Sequence, residues 1–594
     1  MSAQFAVGID LGTTNCVLSW VRLDAAAPQA SVFPVPQIVD RGTIEARTSL
    51  PSFTWLATPA EAEAGAGNLP WCTGHDFVVG EYARRQAAEQ PDRTVGAAKS
   101  WLCHHAVDRH SRILPWQSAD TVTKISPVEA STRYLQHMVS AWDAEHPDAP
   151  LSKQKVVLTV PASFDPVARE LTREAAVHAG LPDDLVLLEE PQAAVYAWLQ
   201  QMGDSWRETL AAGETLLVCD VGGGTTDLTL IDVVDEGGNL ELRRRAVGDH
   251  LLVGGDNMDL LLAWTAAQLF EQQGIRLDPW QSVSLWHSCR AAKERLLAED
   301  GPETQTVSVA GRGSRLIGGS VSIELKREDI ARQLVEGFLP LVGPGDRPQR
   351  AMVTGFQELG LPYESDTGIT RHIAEFLNRN SDGATLKPTH VLLNGGVFRS
   401  IRLRQQLMSV LAHWYDDQTA SPTLLSGVHD LENAVALGAA YYAWVREHGA
   451  LRIRGGSARS WYIGIETAGL AIPGAPRPLR ALCVVPRGME EGTECDVPSG
   501  PVGMAVGQPA KFRFFGSAVR EDDRPGSLLN AWSSEELVET ANLETELPRE
   551  DPAETWVPVT FQSRVTELGV LELWCVHHDS GRRWKLELNV REDG

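Results

Sequence analysis

Two stretches far apart in the chain carry nearly the same pattern of apolar and polar positions. One is FAVGIDLGTTNCVLSWVRLD from Phe5, the other TLLVCDVGGGTTDLTLIDVVD from Thr215. Each predicts an apolar strand ending near an aspartate, a Gly/Thr turn, and a second strand of alternating apolar and polar residues. Asp10 and Asp220 lie 210 positions apart, a domain-sized interval rather than a solenoid period. The duplication predicts two related lobes, each opening with the same hairpin. Between the hairpins, KVVLTV predicts a buried strand and ASFDPVARELTREAAVHAG a helix. Asp165 caps that helix, Pro166 fits its first turn and Gly180 ends it. DLVLL is a further strand, closed by Glu189-Glu190, and Pro191 opens the helix QAAVYAWLQ. Later, THVLLNGG runs from a strand through a glycine pair into the helix SIRLRQQLMSVL. Such alternation is α/β architecture with a crossover unit in each lobe.

The last helical pattern, ENAVALGAAYYAWVREHG, stops at Gly449. Beyond LRIRGGSARS the chain changes to short alternating segments broken by Pro and Gly: WYIGIE, RALCVV, AKFRFF, WVPVTF and VLELWCV. That texture predicts an all-β domain, with the acidic stretch SSEELVETANLETELPREDPAET as a solvated loop. The expected limits are a first lobe at 1–212, a second at 213–448, a linker at 449–460 and the β-domain at 461–594.

Composition narrows the partners. The 594 residues are 43% hydrophobic and 22% charged, ordinary for a globular protein of several domains. Acidic residues outnumber basic ones by 78 to 53, a formal charge of −25, so nucleic acid and anionic membrane are not expected partners. MSAQFAVGID has no basic leader before an apolar run, so no signal peptide is expected. No apolar run reaches the ~18 residues of a membrane helix. The eight cysteines form no CxxC pair, which suits reduced thiols and a cytoplasmic location. Cys103-His104-His105, with His110 nearby, has no second ligand pair at zinc-site spacing; a polar helix face is the preferred reading.

A polyphosphate needs many hydrogen-bond donors and no bulk in the way. Gly12, Thr13 and Thr14, followed by Asn15, supply this in one hairpin; Gly222, Gly223, Gly224, Thr225 and Thr226 supply it in the other. Glycine lets backbone N–H groups approach, and threonine hydroxyls add donors. The aspartates ahead of them, Asp10 and Asp220, can hold Mg²⁺ through its water. Gly254-Gly255 and Gly395-Gly396 fit the same site or serve as packing glycines, the second pair at a helix start where the dipole favours anions. No Gly-Lys dipeptide occurs, which excludes a P-loop, and no GxGxxG follows a strand.

These motifs resemble the DnaK-type chaperones of the heat-shock-70 family. GIDLGTTN is similar to the family's first phosphate motif, DVGGGTTDLTL to its second and LLNGGVFRS to its adenosine motif. VPASFDPVARELTREAA, EEPQAAVYA and ENAVALGAA extend the resemblance over Phe5–Val445, and it continues more faintly from WYIGIET through RRWKLELNV. The resemblance implies a two-lobed actin-like (ribonuclease H-like) ATPase domain followed by a β-sandwich for peptide. It implies ATP or ADP with Mg²⁺, and K⁺ as a further ion. It implies Asp10 and Asp220 around the metal, Thr225 beside the γ-phosphate and Glu190 positioning the attacking water. Lys293, Gly396 and Arg399 fall to the nucleoside, and Pro161 and Arg169 to the relay between nucleotide and peptide domains. Implied partners are unfolded or partner polypeptide, a J-domain cochaperone and a nucleotide exchange factor.

The departures are specific. Arg84, in VGEYARRQ, stands at the position matched to the family's catalytic lysine, with Lys99 in AAKSWLC as the other cation able to take that role. Arginine is a planar fork where lysine is a compact point donor, so slow hydrolysis is expected. Arg290, Glu294 and Leu297 replace the family's residues around Lys293. The acidic, leucine-rich linker is not recognisable in LRIRGGSARS, and the chain ends at Gly594 just after the β-domain, so a helical lid is expected to be missing. A small-molecule kinase and an actin-like scaffold are the alternatives on this fold, and neither gives the β-domain a role.

Overall fold

A computed structural model describes residues 3–589, apart from 105–106, 117, 120–121, 237–238, 250, 311–319, 350–363, 382–385, 416–420, 426–429, 450–452, 454–456, 458, 468–477, 491, 518–519, 521, 534–535, 550–554 and 567–569. Most of the expected linker, and His105 of the Cys-His-His run, lie outside the described residues. The chain divides into two compact units, Met1–Arg452 and Ile453–Asp593.

The first unit holds two sheets of the same design. One contains β1 (Phe5–Leu11), β2 (Asn15–Arg22), β3 (Ser31–Val32), β4 (Lys155–Val160) and β5 (Val186–Glu189), in the order β5-β4-β1-β2-β3. The other contains β6 (Thr215–Val221), β7 (Thr226–Glu236), β8 (Asn239–Val247), β9 (His390–Asn394) and β10 (Thr423–Leu424), in the order β8-β7-β6-β9-β10. In each, the opening hairpin is antiparallel and the next two strands join in parallel. The repeated sequence is therefore a repeated fold, the two-lobed actin-like α/β architecture. The central strands are covered on both faces, which is why β6 is buried at every position and reads as a continuous apolar run.

The helices that shape the site are α1 (Glu81–Glu89), α2 (Ala98–Leu102), α3 (Pro166–His178), α4 (Glu190–Met202), α5 (Gly255–Gln272), α6 (Pro279–Leu297) and α7 (Ala434–His448). Asp165 caps α3, its carboxylate accepting the Ala168 N–H at 2.6 Å, a contact worth about 1 kcal/mol. α7 follows the second sheet in sequence but lies on the first. Ser19 donates to the Ala436 carbonyl at 2.6 Å. A Cβ on Gly8 would sit 2.3 Å from the same oxygen, and one on Gly438 only 1.8 Å from the Ala193 carbonyl of α4. The small residues of GAA and QAA let the two helices meet backbone to backbone.

The second unit is a β-sandwich. Leu528–Leu529, Leu479–Val485, Ser460–Glu466, Pro509–Ser517 and Val538–Glu546 form one sheet in that order; Thr493–Ala505, Trp556–Val565, Val570–His577 and Arg583–Asn589 form the other. Trp461, Val484 and Phe514 of the first meet Val559, Leu573 and Trp584 of the second in one core. The acidic stretch is not wholly a loop, for Val538–Glu546 pairs antiparallel with Pro509–Ser517. It is an edge strand, where charge is tolerated and blunts further pairing, and Arg513 pairs with Glu539 across the ladder. Nor is the cysteine–histidine run a polar helix face. α2 ends at Leu102, and His104 is buried beside Trp101, their rings 5.5 Å apart.

Candidate functional site

A cleft of about 680 Å³ lies between the lobes of the first unit. Asp10, Gly12, Thr13, Thr14 and Asn15 line it from one hairpin, and Asp220, Gly222, Gly223 and Thr225 from the other. Arg84, Lys99, Glu190, Gly255, Arg290, Lys293, Glu294, Leu297, Gly395, Gly396 and Arg399, also singled out in the sequence, reach it too. Gly224 faces across the seam, where an added Cβ would lie 2.9 Å from Ser100 Oγ; one on Gly254 would lie 2.8 Å from the Gly222 carbonyl. Pro161 and Arg169 are buried and do not line the cleft. The hairpins come close together, since a Cβ on Gly223 would lie 2.0 Å from Thr14 Oγ1. Gly395 has φ +90°, and a Cβ there would sit 2.6 Å from Asp220 Oδ1, so glycine alone suits both its backbone and its neighbour. The pair Gly395-Gly396 opens a short 3₁₀ turn, Gly396–Arg399, and the α-helix begins only at Ile401.

Electrostatics sets this cleft apart from an ordinary interlobe seam. Burial and the nearby Glu190 push the Asp10 carboxyl up to about 7, although Thr159 Oγ1 donates to it at 3.0 Å. Burial raises Glu190 as well, against the opposing effect of Lys99, whose ammonium donates to it. Burial lowers that ammonium, but Glu190 and Asp10 outweigh it and hold Lys99 above its ordinary range. Burial and Glu190 raise Asp220 strongly, despite a 2.7 Å hydrogen bond from Asn394 Nδ2. Asp227 is raised by burial too, while Ser163 and Thr225 donate to it at 2.8 and 3.4 Å. Glu190, Asp10 and Asp227 thus act on one ammonium, with Asp220 beside them, a set short of positive charge.

The donor set fits a hard divalent cation. It is all oxygen, and Asn394 Oδ1 beside Asp220 is buried with no hydrogen-bond partner. Among the described residues no group of three or more His, Cys, Asp or Glu side chains is placed to hold a metal ion.

Comparison with known proteins bears on this cleft directly. Residues 71–339 match the family model described as Hsp70 protein. Over those residues the chain is similar to the Hsp70 family. The chain is 31% identical over 278 residues to the chaperone protein DnaK of Thermotoga petrophila, covering 46% of this chain and 38% of that one. It is 30% identical over 340 residues to the DnaK of Thermosipho melanesiensis, covering 56% and 48%. A chaperone protein HscA homolog of Neisseria meningitidis serogroup B is 31% identical over 310 residues, covering 50% and 42%. The chain thus spans less than half the length of these curated relatives.

Within the cleft the two candidate cations part company. Arg84 reaches the cleft wall, but its guanidinium meets Glu81 at 2.9 Å, and the same buried carboxylate takes Arg85 at 3.1 Å and Arg47 at 3.4 Å. Lys99 is the cation beside Asp10 and Glu190. At the nucleoside end, Lys293 is held by Asp259 at 2.7 Å and by the Gly255 carbonyl at 2.9 Å. Arg290 is buried and pairs with Asp256 and with Asp259, the latter at 2.8 Å. These pairs tie α5 to α6. Arg399 pairs with Glu432. Asp227, Asn394 and Ser163 were not singled out in the sequence. The first two carry a readable signal, one closing the run GGGTTD and the other preceding Gly395-Gly396, whereas nothing marks Ser163. No helix of the described residues is long and apolar enough to cross a membrane.

Proposed function

We propose that the first unit binds and slowly hydrolyses ATP, and that the protein is a chaperone-like binder of unfolded or partner polypeptide through its sandwich unit. The observation that carries this reading is the Lys99–Glu190 pair between two facing Gly/Thr hairpins, with Asp10 and Asp220 beside it. Asp10 and Asp220 would hold Mg²⁺, which when bound neutralises charge on the β- and γ-phosphates; K⁺ is a further candidate ion. Hairpin N–H groups and the hydroxyls of Thr13, Thr14 and Thr225 donate to phosphate oxygens. Glu190 accepts a hydrogen bond from the attacking water and orients it, and Lys99 donates to the oxygen on which charge grows. We assign the lysine role to Lys99 and a structural role to Arg84, which Glu81 already engages. The nucleoside lies against Lys293, Gly396 and Arg399, and Pro161 and Arg169 relay nucleotide state. The relatives are named chaperones, which supports the polypeptide, and with it J-domain and exchange-factor partners. Functional boundaries at 212, 448 and 460 belong to the same proposal.

Phosphate release from ATP, measured with and without unfolded peptide and with a panel of sugars, tests the reading. Slow release to water, altered by peptide and indifferent to sugars, is expected. Phosphorylation of a sugar would move the protein to the kinase class, and absence of ATP binding by calorimetry would remove the function altogether.

A further inference from the structure

Ser163 belongs to the first lobe but bonds to the second. It lies in the turn between β4 and α3, two residues after Pro161. Its hydroxyl donates to Asp227 Oδ1 at 2.8 Å, and its backbone N–H donates to the same carboxylate. The other oxygen, Oδ2, accepts from the hydroxyl of Thr225 at 3.4 Å. Asp227 is 2% exposed, so water does not replace these donors, and losing one leaves a buried carboxylate under-satisfied.

The turn that carries Ser163 is braced from behind. Arg169 donates to the Ala162 carbonyl at 3.1 Å and lies 3.9 Å from Glu189 at the end of β5. Glu189 is fully buried and lies 3.5 Å from Arg244 of β8 in the second lobe. β8 is paired with β7, which begins beside Asp227. The contacts therefore form a ring that crosses the lobe seam twice, once at Ser163–Asp227 and once at Glu189–Arg244. A ring of this kind fixes the Ser163 hydroxyl relative to Thr225 only while both crossings are made.

We infer that Ser163 is a positioning residue for hydrolysis, setting Asp227 and through it Thr225 when the lobes close. The inference rests on the ATPase reading above and adds to it the residue through which lobe closure reaches the reacting phosphate. It is tested in the full chain by steady-state kinetics of Ser163→Ala and Ser163→Thr, by a double-mutant cycle with Asp227→Asn, and by hydrogen exchange of segment 221–228 without nucleotide.

Ser163→Ala is expected to lower kcat about tenfold with KM within about threefold, and Ser163→Thr, which keeps the hydroxyl, to restore most of the loss. In the Asp227→Asn background Ser163→Ala should have no further effect, because its partner is already altered. Exchange of 221–228 should be at least about threefold faster in Ser163→Ala. Equal kinetic cost in both backgrounds, or unchanged exchange, overturns the assignment. If the wild-type protein hydrolyses no ATP, the functional reading fails by itself and the exchange comparison alone decides whether Ser163 positions the hairpin.

Discussion

Replacing Lys99 by methionine separates the two cations at the cleft. The Lys99 side chain is 7% exposed and that of its partner Glu190 12%, so the substitution leaves a largely buried carboxylate without its cation. Breaking a buried pair from one side costs about 3–5 kcal/mol of stability. Removing a donor aimed at developing charge costs about 10²–10³ in rate. The two effects separate in Lys99→Met/Glu190→Gln, where the carboxylate paired with Lys99 is neutralised as well. Stability should return to within about 1 kcal/mol of wild type while hydrolysis stays lost. Arg84→Met is the control. The Arg84 side chain is 37% exposed and Glu81 keeps Arg47 and Arg85, so the expected change is below about fivefold. Single-turnover hydrolysis of labelled ATP, with urea denaturation on the same samples, reads both quantities. If Arg84→Met abolishes turnover and Lys99→Met leaves it intact, the assignment of Lys99 is refuted.

Asp10→Asn and Asp220→Asn should each lower turnover at least about tenfold, the equivalent of ~1.4 kcal/mol; tight ATP binding in EDTA with normal turnover would contradict the metal assignment. Gly223→Ala places a methyl 2.0 Å from Thr14 Oγ1, so ATP affinity by calorimetry should fall by about tenfold or more while the separate lobes keep their fold. Gly438→Ala puts a methyl 1.8 Å from the Ala193 carbonyl, and urea denaturation should show a loss of at least about 1–3 kcal/mol. Burial lowers His137 from 6.5 to about 4, with its Nε2–H bonded to the Pro36 carbonyl. Between those values the unfolded chain binds a proton that the native protein refuses. This contribution is therefore complete above about pH 6.5 and lost as pH falls towards 4, by roughly 2 kcal/mol at pH 5. His137→Gln should flatten the urea midpoint over that range.

The repeat in the sequence made the fold legible because a hairpin is a local object. Strand, turn and strand of both copies stand where alternation and glycine placed them, and Asp165, Gly180 and Gly449 end their helices as the capping rules require. The Gly/Thr turns that line the cleft were legible for the same reason. Choosing between Arg84 and Lys99 was not, because it depends on which carboxylate each meets, and Glu190 is 91 positions from Lys99. Ser163 and Asp227, 64 positions apart, leave no mark on either local pattern. The strand at Val538–Glu546 was hidden by its acidic composition, which reads as loop unless the edge position is known.

The bare contact between α4 and α7 has a mechanical corollary. Helices that interlock through large side chains resist turning, because each ridge must climb out of its groove. At Gly438 and Ala193 there is no ridge to climb, while Tyr196 and Tyr442, their rings 4.8 Å apart, obstruct sliding along the axis. The crossing therefore offers less resistance to turning than to sliding. The two hairpins that face each other at Thr14 and Gly223 are thus carried by a unit whose helix crossing is built from alanine and glycine.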